Sequence, residues 1–171
     1  MKNALTILAC FAFCFASCEK FENEINIATA TVDQNILVTT NINNNLLLKL
    51  VNDQRTAGCN CGLTVMAPVP ALSWNNLLAA AAAAHCKDMN THNFFSHTSS
   101  NGNTVTDRVN AVGYKWFALG ENIASGQFDE QTVFSAWLKS EGHCKNLMSA
   151  SFKEMGAAKE GKYWGQNFGA R

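Results

Sequence analysis

Leu47, Leu50 and Val51, with Gln54 completing the i, i+3, i+4, i+7 face, predict a helix over Asn44 to Ala57 that stops at Gly58. Gly58 to Pro70 holds Cys59, Cys61, Gly62 and both prolines of the chain, which predicts an irregular loop stapled by disulfide bonds. Ser73 is a suitable N-cap for a second helix. Leu77, Leu78 and the alanine run Ala79 to Ala84 carry that helix to about Asn90. Six alanines leave little bulk on its surface, so a neighbouring layer can approach its backbone closely, as a sheet does. Asn101-Gly102 marks a turn, and Thr106 to Ala111 a short helix ending before Gly113. Ile123 and its neighbours predict a short strand or extended loop entering a cleft. Asp129-Glu130 open the next helix, which buries Val133, Ala136 and Trp137. Met155 to Lys159 and Lys162 to Phe168 predict two strands joined at Glu160-Gly161. Helices first and paired strands late make an α+β fold, an antiparallel sheet covered by helices.

The first residues have a different character. Lys2, the mostly apolar run Ala4 to Phe15 and the small Ala16-Ser17 before Cys18 have the layout of an export signal, too short to span a bilayer as a helix. Phe15-Ala16-Ser17-Cys18 resembles a bacterial lipobox, with phenylalanine where leucine is usual. That resemblance implies cleavage before Cys18, lipid attachment to it, and a mature chain tied to the membrane in the cell envelope. Simple secretion with Cys18 unmodified is the alternative. The domain organisation is then a signal peptide over 1–17, a lipidated cysteine with an Asn- and Thr-rich flexible spacer over 18–43, and one folded domain over 44–171. Without the signal, 12 of the 13 basic side chains remain against 13 acidic ones, a balance near −1 that gives no electrostatic attraction to nucleic acid.

Of the seven cysteines, Cys59, Cys61, Cys86 and Cys144 belong to the domain, and an even count in an exported domain favours disulfides. Cys59 and Cys61 are too close in sequence to pair comfortably, which leaves two connectivities. A four-cysteine zinc site is the rival reading, although Cys-x-Cys is tighter than zinc sites usually use. Nucleophilic catalysis has little to build on. Ser96 adjoins His97, so in an extended chain the two point to opposite sides, and no Gly-x-Ser-x-Gly elbow occurs. His85 lies among alanines and reads as a packed, satisfied histidine; His92 sits near a helix end, where a cation is favoured.

Three separated segments carry more. Asn93-Phe94-Phe95-Ser96-His97, then Gly120-Glu121-Asn122-Ile123, then Trp137 to Gly142-His143 follow one another in the order that resembles the CAP superfamily, the cysteine-rich secretory proteins and their bacterial relatives. Leu50 to Arg55 and Tyr163-Trp164-Gly165-Gln166 to Phe168-Gly169 extend the resemblance across about Asn44 to Arg171. It implies a three-layer α-β-α sandwich with a small antiparallel central sheet. It also implies that His97, Glu121 and His143 line an open cleft, with Ser96, Asn122 and Glu141 beside them, and that His97 and His143 bind a divalent ion, most plausibly Zn2+. Glu141 stands one residue later than the family's second cleft glutamate. The paired Cys-Gly and Gly-His-Cys segments imply bridges Cys61 to Cys144 and Cys59 to Cys86. The functional expectation is a non-enzymatic binding module at the cell surface, taking zinc, a lipid or an envelope component. The alternative is a metal-dependent hydrolase of peptide or envelope polymer, with Glu121 as catalytic base.

Overall fold

The computed structural model describes residues 36–171, all within the compact unit Asp33–Arg171. The signal segment, Cys18 and most of the spacer lie outside the described residues. Helix α1 spans Asn44–Ala57, as its periodicity predicts. The Asn43 side chain accepts from Leu46 N, and Gly58 ends the helix at φ 77°, a backbone angle that favours glycine. The expected irregular loop contains a small hairpin instead, β1 (Cys59–Cys61) with β2 (Thr64–Met66).

The main sheet has the order β3-β5-β6-β4, built from β3 (Ser73–Trp74), β4 (Ala118–Ser125), β5 (Glu154–Glu160) and β6 (Tyr163–Ala170). Strands β5, β6 and β4 are antiparallel, but β3 runs parallel to β5 through Ser73 and Trp74. Ser73 is therefore a sheet residue and not a helix cap. Helix α2 (Asn76–His92) starts after Asn75, whose side chain accepts from Leu77 N and Leu78 N. The remaining helices are α3 (Val105–Ala111), α4 (Glu130–Lys139) and α5 (Glu141–Leu147). Thr104 and Asp129 cap α3 and α4 through reciprocal side-chain and backbone bonds.

These elements form three layers. Helix α2 lies on one face of β5 and β6 with α3 against it, while α1, α4 and α5 pack together over the other face. The alanine run does what its small side chains allow: a Cβ placed on Gly156 would stand 2.1 Å from Ala79 N and 2.6 Å from Asn75 O. Helix backbone rests on sheet backbone. The opposite face takes the bulk, with Leu47, Val51, Trp137, Met155, Trp164 and Phe168 in one buried cluster.

Arg55 closes that layer from inside. Its fully buried guanidinium donates to Pro70 O at 2.8 Å, Leu147 O at 2.7 Å and Ser149 O at 2.9 Å, joining α1 to two distant loops. Burial lowers its pKa to about 10, which leaves it charged at neutral pH. Residues 40 and 41, assigned to the spacer, also belong to the domain: Lys159 N donates to Thr40 O at 2.8 Å, and Asn41 Nδ2 to Lys159 O at 2.9 Å.

Candidate functional site

Among the described residues, strand β4 has β6 on one side and no strand on the other, and Glu121 sits in its middle. The Glu121 side chain is only 4% exposed, and both of its oxygens are occupied. His97 Nδ1 lies 2.7 Å from Oε1, and Arg108 Nη2 donates to Oε2 at 2.5 Å. Arg108, reaching in from α3, is itself buried and uses Nη1 to fasten the loop that carries His97. That nitrogen donates to His97 O at 3.1 Å, Ser99 Oγ at 3.0 Å and Asn103 O at 3.1 Å. The His97 ring is 58% exposed, with Nδ1 directed at the carboxylate, so Nε2 is the nitrogen left for solvent or a ligand.

His143 approaches from the other layer. It stands on α5, and its carbonyl accepts from Asn122 Nδ2 at 3.2 Å. Burial lowers its pKa, and the charge of His97 lowers it further. The rest of the predicted set is arranged otherwise. Asn122 is fully buried, and its amide is spent on His143 O, Gln166 Oε1 and Asn146 Nδ2, so it is a staple between β4, β6 and α5 and not a cleft wall. Glu141 is exposed, pairs with Lys145 at 2.5 Å and lies over Gly62 of the β1–β2 turn, which takes it out of the expected cleft. Ser96 is exposed with its Oγ accepting from Thr98 N at 3.1 Å, and its carbonyl meets His85 Nε2 at 2.8 Å.

His85 is completely buried. Its Nε2 faces the Ser96 carbonyl and its Nδ1 faces Ser99 Oγ at 3.3 Å, an arrangement that suits the neutral ring protonated on Nε2. Desolvation lowers its pKa, and the Arg108 charge adds to the effect. A histidine depressed in the folded state gives stability that is complete above the unfolded value near 6.5 and is lost as pH falls from there toward the folded value. With His85 and His143 both shifted this way, the urea midpoint is expected to drop between about pH 6.5 and 5, and to drop less in His85→Gln. A flat or rising midpoint over that interval would contradict the neutral assignment.

The cysteines divide into two places. Cys61 and Cys144 are bonded, with Cα atoms 5.4 Å apart, so β1 is tied to α5. Cys59 and Cys86 are free, which corrects the second expected bridge. Cys86 is buried on α2, where its Sγ donates to Ala158 O at 3.4 Å, whereas Cys59 lies in the other layer beside the Cys61–Cys144 bond. Among the described residues, Cys59, Cys61 and Cys144 are the one group of three histidine, cysteine or acidic side chains whose ligand atoms all lie within 4.8 Å of one another, a set that could hold a metal ion. Sequence reasoning passed over Arg108. Its only signal was a lone cation one position before Val109, on the apolar side of a seven-residue helix.

The fold defines a class, and the comparisons agree with it. Residues 48–168 match the model of the cysteine-rich secretory protein family, CAP, and the chain belongs to that family. It is similar to an uncharacterized membrane protein of Bacillus subtilis, YlbC, at 35% identity over 97 residues, 57% of this chain and 28% of that one. Among solved structures, an extracellular protein of Bacillus anthracis containing an SCP domain superposes with a TM-score of 0.63 at 30% identity, over 75% of this chain and 41% of that one. An outer surface protein of Borrelia burgdorferi superposes with the same TM-score at 20% identity, over 74% of this chain and 91% of that one, a likeness of fold. The chain spans less than half the length of the two Bacillus relatives. No helix of the described residues is long and apolar enough to cross a membrane.

Proposed function

We propose that this CAP domain is an extracytoplasmic, non-enzymatic binding module, held to the membrane by lipid on Cys18, whose cleft beside β4 takes a zinc ion on His97 and His143. The observation that carries the reading is the saturation of Glu121. A general base needs a free oxygen facing its substrate, whereas here one oxygen orients an imidazole and the other is matched by a buried guanidinium. Carboxylate, histidine and open Nε2 is the arrangement in which a second-sphere acid sets the tautomer of a metal ligand. The lowered pKa of His143 keeps that ring neutral, as ligation requires. Phe95, stacked on Tyr163 and 54% exposed, offers an apolar wall two residues from His97 for a lipid or envelope component. An extracytoplasmic location is supported by the export-type first residues and by the extracellular relative from Bacillus anthracis.

Zinc at roughly a hundredfold over its dissociation constant is expected to stabilise the domain by about 2.7 kcal/mol, read as a rise in Tm. The rise should vanish in His97→Ala and in His143→Ala, and shrink below about pH 6 as the imidazoles protonate. An undiminished rise in both variants would remove the site. Hydrolysis of a peptide or envelope polymer that is lost in Glu121→Gln and His97→Ala, with the fold intact, would overturn the non-enzymatic reading in favour of a metal-dependent hydrolase.

A further inference from the structure

Beside the apolar side chains of Met66, Val69, Leu138 and Met148, three sulfurs meet. Cys59 and Cys61 are two apart on β1 and so share one side of the strand, and Cys144 comes to them from α5. Cys59 Sγ lies 3.7 Å from Cys144 Sγ and 3.9 Å from Cys61 Sγ. A tetrahedral zinc ion held by thiolates at about 2.3 Å places neighbouring sulfurs about 3.8 Å apart. Two edges of such a tetrahedron already have that length, and the third is closed by the Cys61–Cys144 bond. We propose that Cys59, Cys61 and Cys144 form a zinc site that opens when this bond is reduced, independent of the imidazole cleft.

The reaction is a thiol–disulfide exchange followed by ligation. A dithiol reductant gives up its two S–H bonds and gains one S–S bond; the Cys61–Cys144 bond breaks, and each of its sulfurs takes a proton. Binding Zn2+ then releases the three thiol protons to solvent, leaving three thiolates on the metal and a fourth position for water or an incoming ligand. The third sulfur distinguishes this place from an ordinary structural disulfide, because reduction yields a preassembled soft donor set, with Cys61 and Cys144 buried and Cys59 half-buried.

The test uses the whole chain, reduced without air by a phosphine, with cobalt(II) as the probe. The expected result is one thiolate-bound cobalt per chain, read from a thiolate-to-metal charge-transfer band, displaced by zinc, and no such band in the oxidised protein. Loss of a second-sphere contact weakens metal sites about 10- to 100-fold, so loss of a thiolate in Cys59→Ser should weaken this one by more than roughly a hundredfold. The double change His97→Ala with His143→Ala should leave the band unaltered. No band in the reduced protein, or an equal band in Cys59→Ser, overturns the proposal. If reduction unfolds the chain, zinc must restore its far-ultraviolet circular dichroism, and failure to do so overturns the proposal as well.

Discussion

Gly156→Ala is expected to lower unfolding stability by at least about 3 kcal/mol, because the added methyl meets main chain and not a flexible side chain. The new carbon would stand 2.1 Å from Ala79 N, 2.6 Å from Asn75 O and 2.7 Å from Leu78 C. Relief requires α2 to lift from β5 along its first turns, and the Asn167 amide bonded to Leu78 O at 3.1 Å ties that same turn to β6. Denaturant unfolding measures the effect directly. A loss below about 1 kcal/mol would mean that the helix and sheet are not in the contact described.

Arg108→Ala is expected to be costly for a different reason, by about 3–5 kcal/mol, since it leaves a buried carboxylate without its partner. Glu121 is 4% exposed on its side chain and Arg108 6%, so solvent cannot take over the role. The same change frees three acceptors around the His97 loop, and His97 should lose its fixed orientation together with the stability. Adding Glu121→Gln to Arg108→Ala removes the stranded charge and should restore part of the loss. Strict additivity in that double-mutant cycle would show that the two groups do not interact.

What the sequence reveals depends on how local the cause is. Helix α1 is legible to its ends because periodicity, an asparagine cap and a left-handed glycine all act within a few residues. The start of α2 is not, because Ser73 and Trp74 are claimed by a pairing with β5 some 80 residues away, and the cap passes to Asn75. Helix α5 is too short to show a period, and Gly142 argues against it from within. A sheet covered by helices follows from helix and strand order together with the alanine face, and the resemblance to the CAP family implies the three α-β-α layers. The parallel pairing of β3 does not.

The site divides in the same manner. Motif order singled out His97 and Glu121, which do meet, whereas Glu141 was judged by spacing alone and is drawn instead to Lys145 and the β1–β2 turn. Cys86 and Cys59 are kept apart by the sheet itself: Gly165 of β6 admits the Cys86 sulfur on one face, and Cys59 lies on the other. No spacing rule carries that information. Arg108 escaped notice because its partner is fixed by the approach of α3 to β4, a purely tertiary event.

Strand β6 is buried at every one of its eight positions and, among the described residues, is the only neighbour of β4 in the sheet. During synthesis the segment bearing Glu121 therefore emerges some forty residues before the strand that must hold it. Until then an acid meant for the interior waits in water beside unpaired main chain, vulnerable to proteases and to sticky neighbours. A nick or premature stop ahead of Tyr163 would not trim the molecule but would dissolve the face that carries Glu121.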